Sequence, residues 1–199
     1  MKHAIVYIHG QGGSASEALH YAPLFPDRAL IGFDYRAGTP WEAVDEFRAF
    51  LTPLAEQYGS VSLIANSIGA FFAMHALWDR PIARACFISP IVDMEALIRD
   101  RMARAGVSEA RLRAEGTVET GDGAPLSWDY LAWVRAHPLR WRTPTAILCG
   151  SEDTLQSAAA LRRFAGSIGA ELCVMPQGEH WFHTPEQMAF LDAWIRDKL

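Results

Sequence analysis

The stretch 61–73 constrains the fold of this chain more than any other, because it predicts a strand, a sharp turn and a helix in direct succession. A short apolar run ends in Ala-Asn-Ser-Ile-Gly, and an alanine-rich helical pattern follows at once. The strand and helix backbones nearly touch in such a turn, so the residues two before and two after its apex must be small, as Ala65 and Gly69 are. We expect Ser67, at the apex, to present its hydroxyl clear of the sheet. The simpler alternative is a serine that caps the helix.

Strand and helix patterns alternate along most of the chain, which is typical of a mostly parallel sheet with helices on both faces. Most of the apolar runs lack alternation, as expected for strands that are covered on both sides. About six strands are predicted, at 4–8, 29–33, 61–64, 85–88, 145–148 and 171–175. Helices are predicted at 16–24, 41–58, 68–78, 155–168 and 185–199. The sequence therefore predicts an α/β fold.

The interval 91–142, after the fourth predicted strand, breaks this rhythm because it carries no strand signal and is longer than a normal crossover. It holds helical patterns at 94–105 and 108–115, a turn-rich piece at 116–125 and an aromatic helix that begins near Trp128. We expect a single domain over 1–199, with 91–142 inserted as a small helical cap or lid over a site at the strand's carboxyl end. The alternative is an enlarged crossover that packs on one face of the sheet.

Composition argues against nucleic acid and membranes as partners. The chain has 199 residues, half of them hydrophobic, and a formal net charge of -5. It has no basic run or stripe, so nucleic acid and anionic membrane surfaces are poor partners. The longest apolar runs have the length of strands, so no membrane span is predicted. The apolar stretch after Lys2 lacks the features of a signal peptide.

The three cysteines, Cys86, Cys149 and Cys173, all lie in apolar, strand-like runs. Their spacing is not that of metal ligands, and an odd count in such places is typical of buried free thiols. Free thiols persist in a reducing compartment. The sequence therefore predicts a cytoplasmic protein.

Four segments resemble the α/β-hydrolase family, and each follows a predicted strand, where sites in open α/β sheets form. Residues 65–69 are similar to the family's Gly-x-Ser-x-Gly nucleophile elbow, with alanine in place of the first glycine. Residues 150–153 resemble its Gly-x-x-Asp segment, and residues 178–180 its Gly-x-His segment. Residues 9–12 are similar to its His-Gly-x-Gly loop. The resemblance covers the chain apart from 91–142, and it implies a hydrolase fold that lacks the family's first two strands.

This resemblance implies a serine hydrolase that cleaves an ester-like acyl bond of a small molecule. Ser67 would be the nucleophile, His180 the base and Asp153 the acid, in the family's chain order. The backbone amides of Gln11 and Ile68 would form the oxyanion hole. No metal or cofactor is implied.

Three neighbouring residues have alternative roles. Glu152 is the substitute acid, should Asp153 only cap the following helix. His183 could face the same cleft as His180, although capping of the last helix is the simpler role. His9 is expected to brace its loop rather than to act as a base.

Aromatic residues of the insertion and the loops are candidates for the walls of a substrate pocket, which would suit an uncharged acyl or aryl group. They are Trp128, Trp133 and Trp181, with Tyr130 and Trp141 as further candidates. Aromatic residues at helical spacing also commonly belong to the core.

Two other functions fit parts of the sequence. Gly10-x-Gly12-x-x-Ala15 follows a strand and Asp34 follows the next one, which is typical of a dinucleotide-binding oxidoreductase. That hypothesis leaves the turn at Ser67, and also His180, without a role. A catalytically silent protein that keeps the hydrolase fold for ligand binding is the other alternative.

Overall fold

The computed structural model describes residues 2–121 and 124–199. Its strands are β1 (His3–Ile8), β2 (Ala29–Phe33), β3 (Ser60–Asn66), β4 (Arg84–Ile88), β5 (Thr117–Val118), β6 (Leu126–Ser127), β7 (Thr145–Gly150) and β8 (Glu171–Met175). Its α-helices are α1 (Ala18–Tyr21), α2 (Pro40–Gln57), α3 (Ile68–Leu77), α4 (Met94–Arg104), α5 (Glu109–Glu115), α6 (Trp128–Ala136), α7 (Ala158–Ile168) and α8 (Pro185–Lys198). Short 3-10 helices, Ala15–Glu17 and Ala22–Leu24, flank α1.

Six of these strands form one sheet in the order β2-β1-β3-β4-β7-β8. Every pairing between neighbouring strands is parallel. Each connection must therefore cross back over a face of the sheet, and all six carboxyl ends lie along one edge. The predicted α/β fold with a parallel sheet of about six strands is confirmed.

Helices cover both faces of this sheet, because successive side chains of a strand point to opposite faces. Ile5 and Tyr7 of β1 lie in one buried cluster with Tyr21 of α1 and Leu191 of α8. On the other face α2 packs against α3, and both helices contribute buried aromatic rings. Burial on both faces explains why the strands appear in the sequence as unbroken apolar runs.

The helix α2 begins at a capping box. The Thr39 hydroxyl accepts a hydrogen bond from the Glu42 amide, and the Glu42 carboxylate accepts one from the Thr39 amide. Hydrogen bonds from the Thr39 hydroxyl and the Gly38 amide also lower the pKa of the Glu42 carboxyl. Pro40 suits the first helical position, where no amide donor is needed.

Two regions differ from their predicted helices by more than a residue at an end. The helix predicted at 155–168 begins only at Ala158, because the Ser157 hydroxyl caps it by accepting from the Ala160 amide at 3.1 Å. The residues before Ser157 instead form a loop. The helix predicted at 16–24 is broken into three short pieces, and Pro23 near the start of the last piece lacks the amide donor that a continuous helix needs.

The chain divides into two compact units. The first runs to Val92 and resumes over Arg140–Leu199, and the second is Asp93–Leu139. The second unit lies within the insertion predicted at 91–142. It contains an antiparallel pairing of β5 with β6, whereas the sequence predicted no strand there. Each of these strands has only 2 residues, too few to give a recognisable alternation.

Within the second unit, α4 packs against α6 and β6, and α5 contacts β5. Leu112 and Leu131 are completely buried. The Arg135 guanidinium of α6 donates to Glu95 at 2.9 Å and to Glu109 at 2.7 Å, and so joins the three helices. Residues 122–123 of the predicted turn-rich piece 116–125 lie outside the described residues.

The cysteines are free thiols. Cys86 and Cys149 are buried as predicted, whereas Cys173 is only partly buried. Burial raises the pKa of the Cys86 thiol to about 12 and that of Cys149 to about 11. Both thiols therefore keep their protons near neutral pH. Across residues 2–121 and 124–199, none of the helices has the length and hydropathy that a membrane span requires.

Candidate active site

Ser67 lies at the turn between β3 and α3 in a strained backbone conformation, with φ 51° and ψ -120°. Backbone hydrogen bonds hold it there. Its amide donates to the Ile88 carbonyl at 2.9 Å, and its carbonyl accepts from the amides of Ala70 at 3.2 Å and Ile91 at 3.3 Å. A strained residue persists only where its surroundings fix it in this way.

Close backbone approach around Ser67 explains the small residues of the turn. A Cβ atom at Gly69 would lie 2.2 Å from the His9 carbonyl oxygen, so no larger residue fits without movement. A Cβ atom at Gly10 would lie 3.1 Å from the Ser67 Cβ. Ala65, which stands where the Gly-x-Ser-x-Gly elbow has its first glycine, is completely buried.

The structure brings the side chains of Ser67, His180 and Asp153 together in one chain of hydrogen bonds. The Ser67 Oγ lies 2.8 Å from the His180 Nε2. The His180 Nδ1 lies 2.8 Å from the Asp153 Oδ2. The Asp153 side chain is 1% exposed and that of His180 is 21% exposed. With Nδ1 as the donor to Asp153, Nε2 is free to accept the serine proton, which is the tautomer that a general base requires.

The loops that carry Asp153 and His180 are clamped to each other. A Cβ atom at Gly150 would lie 2.0 Å from the Gly178 carbonyl oxygen, so the two backbones can approach this closely only because residue 150 is a glycine. The Glu152 amide donates to that same carbonyl at 2.8 Å. The Ser151 hydroxyl accepts from the Gln177 amide at 2.8 Å. These contacts fix the distance between the histidine and its carboxylate.

The loop 9–12 lies beside the serine turn. The Gly13 amide donates to the Gly10 carbonyl at 3.1 Å, and Gly12 has a φ of 75°, which a glycine adopts without strain. Within the described residues, the Gln11 amide has no hydrogen-bond acceptor in the protein. Ile68 is the first residue of α3, where an amide has no partner inside the helix. Both amides are therefore available to a bound oxygen.

His9 is buried, and its contacts are those of a structural residue. Its ring stacks on Tyr35 with centroids 4.3 Å apart, and its Nδ1 hydrogen-bonds the Gly10 carbonyl at 2.8 Å. The Tyr35 hydroxyl donates to the His9 carbonyl at 2.9 Å. Burial raises the pKa of Tyr35, which keeps this donor neutral. The contacts brace the loop.

The alternative residues lie apart from this arrangement. Glu152 is exposed, and among the described residues its carboxylate makes no hydrogen bond to His180. His183 is exposed and stacks on Trp181, with its Nδ1 3.3 Å from Glu179. It immediately precedes Thr184, which caps α8.

The candidate pocket aromatics fall into three groups. Trp181, next to His180 in the chain, is 69% exposed. In the second unit, Trp128 lies under the Arg113 guanidinium and Trp133 stacks on the ring of His137, while Tyr130 is half-buried. Trp141 belongs to the core, because it is buried, packs on Phe87 and donates to Thr145.

The dinucleotide hypothesis has little support in this geometry. The helix after the glycine loop is a 3-10 turn of 3 residues, Ala15–Glu17, rather than the long helix whose N-terminus binds a pyrophosphate. Metal chemistry likewise has no evident ligand set, since no group of His, Cys, Asp and Glu within residues 2–121 and 124–199 is placed to hold an ion.

Sequence reasoning missed the residues that brace two parts of the site. These parts are the turn at Ser67 (the serine turn) and the loop that carries Asp153 (the acid loop). Ile88 and Ile91 act through their backbones, which gives no sequence signal. Gln156 is buried, and its side-chain oxygen accepts from the Val92 amide at 2.8 Å. A glutamine just after the acid loop was the available signal.

No curated protein sequence matches this chain. Solved structures share its fold. Alpha/beta hydrolase domain-containing protein 10 from mouse is 17% identical, with a TM-score of 0.75, 98% of this chain covered and 88% of that one. Est1E from Butyrivibrio proteoclasticus is 16% identical, with a TM-score of 0.72 and coverage of 98% and 86%. A monoacylglycerol lipase from Paleococcus ferrophilus is 17% identical, with a TM-score of 0.64 and coverage of 98% and 92%.

The sequence model of the alpha/beta hydrolase family matches residues 5–193, which is nearly the whole chain. This agrees with the parallel sheet, in which the first strand along the chain, β1, leads into the glycine loop. The chain therefore belongs to the alpha/beta hydrolase family.

Proposed function

We propose that this protein is a serine hydrolase that cleaves an ester-like acyl bond of a small molecule. The observation that carries the proposal is the pair of 2.8 Å hydrogen bonds that join Ser67 to His180 and His180 to Asp153. A serine hydroxyl becomes a nucleophile when a base can take its proton and a carboxylate orients that base.

In the first half of the reaction, the His180 Nε2 takes the proton from the Ser67 Oγ, and the Oγ attacks the carbonyl carbon. The amides of Gln11 and Ile68 hold the negative charge that forms on the carbonyl oxygen. The buried Asp153 stabilises the imidazolium and keeps its ring in place. His180 then gives its proton to the leaving oxygen, and the acyl group stays on Ser67.

In the second half, His180 takes a proton from water, and the resulting hydroxide equivalent attacks the acyl carbon. The bond to Ser67 breaks, and His180 returns the proton to the Ser67 Oγ. The products are a carboxylic acid and an alcohol, and the enzyme is restored. No metal or cofactor takes part in these steps.

Two observations support an ester as the substrate. The Paleococcus ferrophilus protein is named a monoacylglycerol lipase, although its likeness to this chain is one of fold. Trp181 follows His180 in the chain, and its exposed ring is an apolar surface that suits an acyl or aryl group. Short acyl esters with good leaving groups are therefore the first substrates to try.

A fluorophosphonate probe tests the proposal without requiring the physiological substrate, because it reacts only with a serine that is activated by a base. We expect the native protein to be labelled, and Ser67→Ala and the heat-unfolded protein to remain unlabelled. Ser167→Ala is the matched control, since Ser167 is an exposed helical serine whose hydroxyl bonds only the Phe164 carbonyl among the described residues.

Ester turnover should follow the labelling. Loss of the triad serine or histidine of a serine protease costs about a million-fold in kcat, so Ser67→Ala and His180→Ala should both fall to background. A folded protein that binds esters without cleaving them would instead favour a silent ligand-binding role. Wild-type turnover by Ser67→Ala would exclude the proposed mechanism.

A further inference from the structure

The serine turn and the acid loop are joined by a second route, besides the one through His180. The segment 89–92, which follows β4, bonds the main chain of Ser67 through the Ile91 amide. The preceding residue, Ile88, accepts from the Ser67 amide. Ser89 itself is completely buried, has a φ of 44° and donates its amide to the Leu148 carbonyl at 2.7 Å. This segment is therefore a fixed support for the turn.

Gln156 ties this segment to the acid loop. Its Oε1 accepts a hydrogen bond from the Val92 amide at 2.8 Å. Its Nε2 donates to the carbonyl of its neighbour Leu155, also at 2.8 Å. The residue is only 4% exposed, so its carboxamide is held in an environment where a lost hydrogen bond is costly.

The route ends at the carboxylate of Asp153. The Leu155 amide donates to the Asp153 Oδ1 at 2.8 Å, while the Oδ2 of the same carboxylate faces His180. The position of the Leu155 amide therefore sets the orientation of the carboxylate. Gln156 holds the same residue at its other end, by donating to the Leu155 carbonyl.

These contacts form a closed ring of polar contacts and short chain segments. One half runs from the Ser67 hydroxyl through His180 to Asp153. The other half runs from the Ser67 carbonyl through the segment 89–92 and Gln156 to the same carboxylate. We propose that Gln156 is a positioning residue, which holds Asp153 at the distance and angle that His180 requires. This role rests on the proposed function.

The test uses Gln156→Met, which keeps the length of the side chain but removes the hydrogen bonds to Val92 and Leu155. A misplacement of about 1 Å at a catalytic group costs on the order of 100-fold, so we expect kcat on an activated ester to fall about 10- to 100-fold, with KM nearly unchanged. Gln156→Glu keeps an oxygen that can accept from Val92, but its carboxylate has no donor for the Leu155 carbonyl, so its kcat should fall as far as that of Gln156→Met. Equal kcat for the native protein and Gln156→Met would overturn the proposal.

A double-mutant cycle separates positioning from a general structural role. If Gln156 acts through Asp153, adding Gln156→Met to Asp153→Ala should cause no further loss of kcat. Multiplication of the two losses would contradict the proposal. Ser157→Ala is the matched control, because it removes the cap of α7 next to Gln156 and leaves the route intact. It should lower stability without lowering kcat.

A spectroscopic signature makes the test independent of turnover. The proton between the His180 Nδ1 and Asp153 should give a low-field proton NMR signal, identified by its loss in Asp153→Ala. We expect this signal to broaden or vanish in Gln156→Met and Gln156→Glu, which both lack the donor to the Leu155 carbonyl, and to persist in Ser157→Ala. An unchanged signal in Gln156→Met would overturn the positioning role, whereas absence of ester turnover in the native protein would overturn only the proposed function.

Discussion

At the scale of single residues, Ser67 is held in its strained conformation by contacts that leave no room around it. Its φ of 51° would cost an isolated serine on the order of 1 to 3 kcal/mol. The Ile88 and Ile91 backbones bond Ser67 on both sides, and Gly69 lets α3 approach the end of β1. The position of the Ser67 hydroxyl at the His180 Nε2 is thus a consequence of backbone packing.

Gly69 gives the sharpest prediction at this scale. Gly69→Ala places a Cβ 2.2 Å from the His9 carbonyl oxygen, and it should lower the free energy of unfolding by about 1 to 3 kcal/mol. Gly166→Ala is the matched control, since its Cβ would meet nothing within 4 Å and helical alanine is favoured by about 0.5 to 1 kcal/mol. Urea unfolding measures the free energy of unfolding of both variants and of the native protein. Equal stability of the two would contradict the crowding argument.

The identities of Ser67, Asp153 and His180 could be predicted, because each belongs to a short motif at the end of a strand. Their hydrogen bonds in the structure agree with that prediction of position, while their catalytic roles remain the proposal above. The brace through Ile88, Ile91 and Gln156 could not be predicted, because backbone groups carry no sequence signal and one glutamine has many uses.

At the scale of elements, the ends of helices depend on caps more than on hydrophobic periodicity. The helix predicted from 155 starts at Ala158, since Ser157 caps it and the preceding loop holds Asp153. Similarly, α2 begins behind Thr39 and α8 behind Thr184. The interior of each helix was predictable from its apolar spacing, whereas the start of α7 is determined by the site.

The two threonine caps differ in their expected dependence on pH. Thr39→Ala should lower the free energy of unfolding by about 1 kcal/mol near pH 7. The Thr39 hydroxyl is the main cause that lowers the pKa of Glu42. A lowered carboxyl pKa gives stability that is fully present above the unfolded value, near 4.5, and is lost as the pH falls from there through the folded pKa. The loss caused by Thr39→Ala should therefore shrink as the pH falls from 5.5 to 3.5.

Thr184→Ala is the control for this prediction, because its partner at the same helical position is Gln187, which does not titrate. Its cost should stay the same over that pH range. Urea unfolding of the native protein and both variants at each pH provides the measurement. If the free energies of unfolding of the native protein and Thr39→Ala differed by the same amount at every pH, the Glu42 carboxylate would make no contribution to this cap.

At the scale of the whole molecule, the parallel sheet was predictable because burial on both faces leaves unbroken apolar runs. The insertion was recognisable by its length, but its short β5–β6 pairing was not, since strands of 2 residues leave no pattern. The same burial on both faces places Cys86 and Cys149 in the sheet as protonated thiols. The free energy of unfolding should therefore fall at alkaline pH.

The direction of that dependence follows from the raised thiol pKa values. The pKa of Cys86 is raised to about 12 from a usual value of 9.0, mainly by burial, so the folded protein keeps a proton that the unfolded chain loses. A raised pKa gives stability that is complete below the unfolded value and declines as the pH rises above it. Between pH 8.5 and pH 10, this thiol should lower the free energy of unfolding by about 1 kcal/mol. Cys149, with its pKa near 11, should add a similar decline.

Cys86→Ala isolates the contribution of one thiol. The variant loses some stability at every pH because a small buried group is removed, but its decline between pH 8.5 and pH 10 should be smaller than that of the native protein by about 1 kcal/mol. Urea unfolding at pH 7, 8.5 and 10 separates the two effects, since the packing loss is present at pH 7 and the titration is not. An identical decline in both proteins would mean that Cys86 ionises in the folded state, which its burial within the sheet argues against.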